Sequence, residues 1–167
     1  MNDSNEKWQP SEWPPRNQYI IDNAFLATSE RLKANPQWMP SRATNDSVGF
    51  DVRYIAPVEN ASVIILPKQT IPIDLGFKLD MPKEMCAMVL IQPELGIKHH
   101  LMLSNAMTIV SSDCSKNINV NIHNYSRATD RPYIIADGQC IVQFLFMPSA
   151  IGMAKLFDWG LKTVDIL

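Results

Sequence analysis

The hydrophobic residues between positions 47 and 157 fall into short segments typical of β-strands. Nine such segments, rich in Val, Ile and Phe, are separated by Pro, Gly, Asn or Asp at spacings of roughly eight to twelve residues. They are residues 48–55, 62–66, 76–81, 86–92, 101–105, 107–111, 118–125, 132–136 and 140–147. Segment 118–125 alternates between apolar and polar residues, which predicts one buried face. Because the strands do not alternate with helices, we predict an all-β barrel or sandwich.

Residues 1–41 have a different character. They contain three of the four tryptophans and five of the twelve prolines. Proline favours extended or turn geometry and does not continue a helix. One short helix is predicted at about residues 23–34, ended by Asn35 and Pro36. We therefore divide the chain into an extended arm (1–41), a β domain (42–157) and a tail (158–167).

Composition excludes several classes of function. The chain is 46% hydrophobic and 19% charged, which is enough to build a core. Its net charge of -2 disfavours general binding to nucleic acid or to an anionic membrane. No apolar run approaches the roughly 20 residues of a membrane-spanning helix. Three cysteines without a CxxC pattern are typical of a reducing compartment, so we expect an intracellular, cytoplasmic protein.

Several short segments with distinctive patterns follow one another along the chain. Residues 40–52 read PSRATNDSVGFDV, with Pro and Ala-Thr ahead of Ser-x-Gly-aromatic-Asp-aliphatic. Residues 74–77 read DLGF, residues 95–99 read LGIKH, and residues 137–143 read DGQCIVQ. In this order, over about residues 40–157, the chain resembles the trimeric deoxyuridine triphosphatase (dUTPase) family. The resemblance implies an all-β, dUTPase-like (β-clip) barrel that assembles as a homotrimer.

The resemblance also implies roles for three residues. Asp51 stands where the family has the Asp that helps to hold Mg²⁺ on the triphosphate, and Asn105 where it has the Asn that contacts the base. Gln143 corresponds to the Gln that closes the fourth motif. If nucleotide binding is retained, these residues would carry it, with Mg²⁺ as the only cofactor. Each active site of the family is built across subunit boundaries.

Most side chains that carry the family's chemistry are replaced. The family's second motif aligns with residues 91–99, and its phosphate-facing Arg and Ser correspond to Gln92 and Pro93. In the third motif, aligned with residues 108–116, the Asp that activates the attacking water corresponds to Ser111, and the Tyr that stacks on the sugar corresponds to Cys114. The Arg of the fourth motif, residues 137–143, corresponds to Cys140. Losing a positioned general base alone lowers a rate by roughly 10²–10⁴.

Two further observations weigh against nucleotide and metal binding. Glu94, next to these replaced positions, would repel a triphosphate. His99 and His100 would point to opposite faces of a strand, so they could not easily share one ion. The sequence therefore predicts no metal site.

These replacements favour a pseudoenzyme without catalytic residues. We expect a non-enzymatic homotrimer with a structural or assembly role, such as a decoration protein of a phage or viral particle, incorporated into the virion. The arm would dock on a larger protein assembly, or pack on its own trimer as an extra strand and helix, through its large aromatic anchors, which are Trp8, Trp13 and Trp38. Two alternatives stay open: a divergent dUTPase or other pyrimidine nucleotide hydrolase, and a regulator that binds a nucleotide without turnover.

Overall fold

A computed structural model describes residues 24–149, which form a β-rich domain. The predicted all-β class is confirmed. In chain order the elements are β1 Phe25–Ala27, α1 Glu30–Ala34, a 3₁₀ turn Pro36–Trp38, β2 Phe50–Arg53, β3 Ser62–Ile65, β4 Thr70–Asp74, β5 Phe77–Leu79, β6 Met85–Ile91, α2 Pro93–His99, β7 Leu101–Leu103, β8 Thr108–Ser111, β9 Asn119–Asn124, β10 Tyr133–Ala136 and β11 Cys140–Pro148.

The strands form antiparallel sheets around one core. The largest sheet has the order β2-β11-β6-β8, and a second has the order β4-β9-β7. Two-stranded ladders, β3 with β10 and β1 with β5, complete the described part. Because β11 is central in the largest sheet, its register sets the positions of both β2 and β6.

The alternation predicted for segment 118–125 is confirmed. Val120, Ile122 and Asn124 of β9 face inward and are almost fully buried. The buried amide of Asn124 is satisfied, since its Nδ2 donates to the carbonyl of Ile65 at 3.1 Å and its Oδ1 accepts from the Ser126 hydroxyl at 2.6 Å. The inward positions of this strand therefore combine apolar packing with one paired polar group.

Strand β4 was not predicted, because a proline interrupts its hydrophobic pattern. Pro72 lies opposite Asn121 in the β4–β9 ladder. A proline cannot donate a backbone hydrogen bond, and it is tolerated here because β4 is an edge strand.

The helix predicted over residues 23–34 begins only at Glu30, so the first half of this prediction is wrong. Phe25–Ala27 instead pairs with β5 as strand β1. This pairing puts the ring of Phe25 within 5.3–6.0 Å of four other rings, those of Phe50, Phe77, Phe144 and Phe146. A short helix is marginal by itself, so the aromatic contacts decide the conformation.

Helix α1 is fixed to the domain by an ion pair. Nη2 of Arg31 lies 2.8 Å from Oδ2 of Asp137, whose side chain is only 6% exposed. Asp137 also accepts hydrogen bonds from the backbone N–H groups of Ala56 and Asn60. Burial disfavours its charged form, but these hydrogen bonds outweigh burial and hold the pKa of Asp137 below its ordinary value.

One of the predicted anchors contacts its own domain. The guanidinium carbon of Arg31 lies 5.3 Å from the ring centre of Trp38, which packs against the core. Trp8, Trp13 and the tail 158–167 lie outside the described residues. No helix within residues 24–149 is both long and apolar enough to cross a membrane.

Replacing Asp137 by Ala should lower the free energy of unfolding by about 1.5–3 kcal/mol, since charged hydrogen-bond acceptors contribute about that much. Urea unfolding measures the loss. The matched control is Asp80→Ala, because Asp80 is exposed and its carboxylate has no hydrogen-bond partner among the described residues.

The effect should also depend on pH. Because the folded pKa is lowered, the contribution of Asp137 is present above the unfolded pKa of about 3.9 and is lost as the pH falls through the folded pKa. The difference between wild type and Asp137→Ala should therefore shrink below about pH 4. An equal difference at pH 7 and pH 2 would contradict this assignment.

Candidate functional site

Asp51 and Gln143 form the centre of the candidate site. They are cross-strand partners in the β2–β11 ladder. Nε2 of Gln143 donates to Oδ1 of Asp51 at 2.7 Å, which orients the carboxylate. The backbone of Asp51 also exchanges two hydrogen bonds with Ser41. The two residues that the resemblance assigned to the first and fourth motifs are therefore in direct contact.

The second and fourth motifs meet at a cavity of about 330 Å³. The N–H of Gln92 donates to the carbonyl of Ile141 at 2.9 Å, which joins the start of α2 to the start of β11. The cavity is lined by Gln92, Glu94, Leu95, His99, Tyr133, Gln139 and Cys140. The structure thus brings together the replaced positions of the second and fourth motifs.

The replaced residues of the second motif form the first turn of α2. Oε1 of Gln92 accepts from the N–H of Leu95 at 3.1 Å and so caps the helix. Pro93 occupies the first turn, where a missing N–H costs little. Helix α2 is short and contains both a proline and a glycine, which explains why the sequence pattern did not predict it.

Glu94 is not an isolated negative charge at the cavity. Its carboxylate lies 2.7 Å from Nζ of Lys98, one turn along α2. The hydrogen bond and the charge of Lys98 lower the pKa of Glu94. The expected repulsion of a triphosphate by Glu94 is therefore offset by a neighbouring cation.

Three polar cavity residues support one another. Nε2 of Gln139 donates to the hydroxyl of Tyr133 at 2.7 Å, and Oε1 of Gln139 accepts from the N–H of Ala136. The ring centres of His99 and Tyr133 are 4.8 Å apart. Tyr133 and Gln139 were not predicted as site residues, although Gln139 lies inside the fourth motif.

The two adjacent histidines were expected to lie on a strand, but they lie at the end of α2. His99 ends α2, and His100 caps it with φ 56° in the left-handed region. His99 contacts Tyr133, whereas the ring of His100 packs 5.3 Å from that of Tyr125. Within residues 24–149, no group of three or more His, Cys, Asp or Glu side chains is arranged to hold a metal ion.

Cys140 lies beside the Asp51 carboxylate. Burial raises the pKa of the Cys140 thiol, and the charge of Asp51 raises it further, to about 11. The group that replaces the family's arginine is therefore a protonated, neutral thiol near pH 7.

Asn105, the position of the family's base-contacting Asn, lies at the β7–β8 connection, and the replaced third-motif positions Ser111 and Cys114 lie at the end of β8 and just after it. Asn105 is exposed, and its Nδ2 donates to the hydroxyl of Thr108 at 3.0 Å. After β8, a turn closed by a bond from the Cys114 N–H to the Ser111 carbonyl exposes Asp113. Cys114 is half-buried against the core.

Asp51 and Ser111, at the end of β8, lie far apart in one chain. Asp51 pairs with Gln143, whereas Ser111 pairs with Cys86, which in turn pairs with Met147. Met147 is four residues beyond Gln143, and β8 is three strands away from β2. Strand spacing of about 4.8 Å and a rise of about 3.4 Å per residue give a separation of about 20 Å. By this estimate, Ser111 lies too far from Asp51 for their side chains to meet within one chain.

Comparison with known proteins agrees with the motifs. The dUTPase family model matches residues 35–156. A deoxyuridine 5'-triphosphate nucleotidohydrolase from Tolumonas auensis is 32% identical over 122 residues, covering 72% of this chain and 76% of the relative. The enzyme of Escherichia phage T5 is 30% identical over 93 residues, covering 54% and 62%.

Solved structures show the same fold. The dUTPase of Streptococcus mutans aligns with TM-score 0.59 and 19% identity, covering 68% of this chain and 88% of that one. A point mutant of the dUTPase of Staphylococcus bacteriophage 80alpha aligns with TM-score 0.62 and 16% identity, covering 86% and 96%. A point mutant of the dUTPase of phage phi11 of S. aureus, with a structural Mg(II) ion, aligns with TM-score 0.59 and 18% identity, covering 77% and 90%.

These relatives overturn the expectation of a non-enzymatic structural protein. Curated proteins about 30% identical to this chain are named as nucleotidohydrolases, so an enzyme is indicated. None of the relatives described above is an assembly or decoration protein, and nothing in the comparisons shows a loss of activity. The matched family model covers most of the chain, and the chain belongs to the dUTPase family.

Proposed function

We propose that this chain is a divergent dUTPase, which hydrolyses dUTP to dUMP and pyrophosphate. The observation that carries the proposal is the contact between Asp51 and Gln143 beside the polar cavity of the second and fourth motifs. This arrangement preserves an oriented carboxylate next to a space lined by amide, phenol and imidazole groups. Such groups can donate hydrogen bonds to phosphate oxygens, but they lack the positive charge of the arginines in the family pattern. Substrate binding should therefore be weaker than in a family member that has those arginines.

Mg²⁺ fits the phosphate-binding half of the site, by which we mean Asp51, Gln143 and the cavity of the second and fourth motifs. This ion is usually held by one or two carboxylates together with substrate phosphates and water. Asp51 is the carboxylate in position, and its hydrogen bond from Gln143 fixes its direction. When bound, Mg²⁺ would neutralise charge on the triphosphate. Since the described residues contain no three-ligand cluster, the nucleotide would supply much of the coordination.

The general base must differ from the family's. The Ser111 hydroxyl is too weakly basic to take a proton from water near pH 7. Asp113 is the exposed carboxylate of the turn that follows β8, two residues further on. In our proposal Asp113 takes the proton from the water that attacks phosphorus, and pyrophosphate leaves.

The separation within one chain supports a shared site. A base acts within about 3 Å of the water, directly or through one further water. Asp51 and Ser111 are about 20 Å apart by strand geometry. We therefore propose a homotrimer in which Asp51 and Gln143 of one copy face Asn105 and Asp113 of the next.

A covalent thiol mechanism is disfavoured. The thiol of Cys140 lines the cavity, but its pKa of about 11 keeps it protonated at neutral pH. A thiolate is the nucleophilic form of cysteine. Hydrolysis by water is therefore the chemistry that this site supports.

The central test is dUTP hydrolysis by the purified protein with Mg²⁺. Wild type should form dUMP and pyrophosphate, and Asp113→Asn should lower kcat by roughly 10²–10⁴, because it removes the base. Asp80→Asn, a change of an equally exposed carboxylate away from the site, should match wild type. A wild-type protein that forms no dUMP would overturn the proposal. Full activity in Asp113→Asn would show that another group is the general base.

The protonation state of Cys140 is tested by alkylation with iodoacetamide, followed by peptide mass spectrometry. In the folded protein the pH midpoint for labelling Cys140 should be about 11, against about 8.5 in urea. Asp51→Asn should lower the folded midpoint, since the Asp51 charge raises the thiol pKa. Equal midpoints in the folded and unfolded protein would contradict the burial and the contact with Asp51.

A further inference from the structure

Arg53 is a cation next to the site that the function described so far does not use. It ends β2, is exposed, and makes no salt bridge with any residue in the described range 24–149. Of the other cations near the site, Arg31 pairs with Asp137, Lys98 pairs with Glu94, and the guanidinium carbon of Arg42 lies 5.9 Å from the ring centre of Phe50. The guanidinium of Arg53 is thus an unneutralised charge beside the phosphate-binding half.

Strand geometry puts Arg53 on the face of the site. Residues two apart on a strand point to the same side, so Arg53 lies on the Asp51 side while Val52 between them is buried. Directly across the ladder, Arg53 pairs with Cys140. Side chains of such a pair start only about 4.5–5.5 Å apart at Cβ.

Electrostatics agree with this proximity. Burial and Asp51 raise the pKa of the Cys140 thiol, whereas the positive charge of Arg53 lowers it. Nη1 of Arg53 also donates to the carbonyl of Gly138 at 2.9 Å, two residues before Cys140. The guanidinium therefore lies close to where a side chain at position 140 begins.

We propose that Arg53 is the phosphate-binding cation of this site and replaces, from the opposite strand, the arginine that the family pattern has at position 140. The proposal rests on the dUTP-binding function proposed above. A guanidinium presents planar, paired donors that match phosphate oxygens. Moving the arginine across one strand pair retains this charge on the same face of the sheet.

A purely structural role explains the contact with Gly138 less well. That bond uses one of five guanidinium N–H donors, which leaves four for a ligand. The turn at Gly138 already has its own bonds, from the Gly138 N–H to the Tyr54 carbonyl and from the Gln139 N–H to the Ala136 carbonyl. Removing Arg53 should therefore leave the turn intact.

The test measures binding of the non-hydrolysable analogue dUpNHpp with Mg²⁺ by calorimetry. Arg53→Gln should weaken binding about 10–100-fold, as loss of a charged hydrogen bond predicts. Binding of deoxyuridine, which has no phosphate, should not change. The double variant Arg53→Gln with Cys140→Arg should recover most of the lost affinity, which a structural role for Arg53 does not predict.

Two further variants make the result specific. Arg127→Gln is the matched control, since Arg127 is also exposed, makes no salt bridge within residues 24–149, and lies between β9 and β10, outside the motifs. It should bind dUpNHpp like wild type. Arg53→Lys keeps the positive charge but lacks the planar, paired donors of the guanidinium, so this variant should bind dUpNHpp with intermediate affinity. If Arg53→Gln does not fold, the reduced affinity expected of Arg53→Lys tests the inference in its place.

Each outcome decides the inference. Wild-type affinity in Arg53→Gln, or an equal loss in Arg127→Gln, overturns it while leaving dUTP hydrolysis untouched. Arg53-dependent binding in a protein that does not hydrolyse dUTP supports Arg53 and refutes only the proposed hydrolysis. A wild-type protein that binds no dUpNHpp overturns the inference as well.

Discussion

The antiparallel register of β11 with β2 and β6 is the constraint on which both the core and the site depend. Ile141, Val142 and Phe144 of this strand are fully buried, whereas Gln143 is only partly buried and meets Asp51. A slip by one residue would move Phe144 outward and bury the amide of Gln143 without Asp51. The irregularity in the ladder between Cys140 and Val142 lets two consecutive residues be buried, as a β-bulge allows.

The same strand also fixes the N-terminal segment. The turn before β11 holds Asp137, which pairs with Arg31 of α1, and Phe144 contacts the ring of Phe25 in β1. Residues from about 24 to 38 are thus part of the domain's packing, although their composition resembles that of an arm. Packing, rather than local propensity, determines how this segment folds.

Short segments rich in Val, Ile and Phe, separated by turn-forming residues, were sufficient to find nine strands, and strict alternation marked one of them, β9. This pattern could not find β4, which carries Pro72 on an edge, or β1, which exists because of the rings around Phe25. Of the site, Asp51 and Gln143 were identified from the motifs. Tyr133 was not, because its contact with Gln139 depends on a turn and a ladder that no local pattern encodes.

Relatives named as nucleotidohydrolases contradict the expectation of a pseudoenzyme, which counted replaced residues position by position. In our proposal, the charge lost at Cys140 is carried by its cross-strand partner Arg53, and that partner is not visible without the register. Similarly, Glu94 was counted as a repulsive charge, yet Lys98 pairs with it one helical turn away. Chemistry on a sheet depends on which side chains share a face, so a neighbouring strand can supply a missing group.

In our proposal, two copies of the chain complete one hydrolytic site, with Asp51 from one copy and Asp113 from the other. Mixing two variants tests it most directly. Asp51→Asn and Asp113→Asn should each be nearly inactive alone, and their co-refolded mixture should recover about one quarter of wild-type dUTP hydrolysis. This fraction is expected because an active site needs an intact Asp51 from one copy and an intact Asp113 from the next. In a random mixture of the two variants, each of these residues is intact in half of the copies. If the variants co-assemble and the mixture stays as inactive as its components, the shared site is wrong.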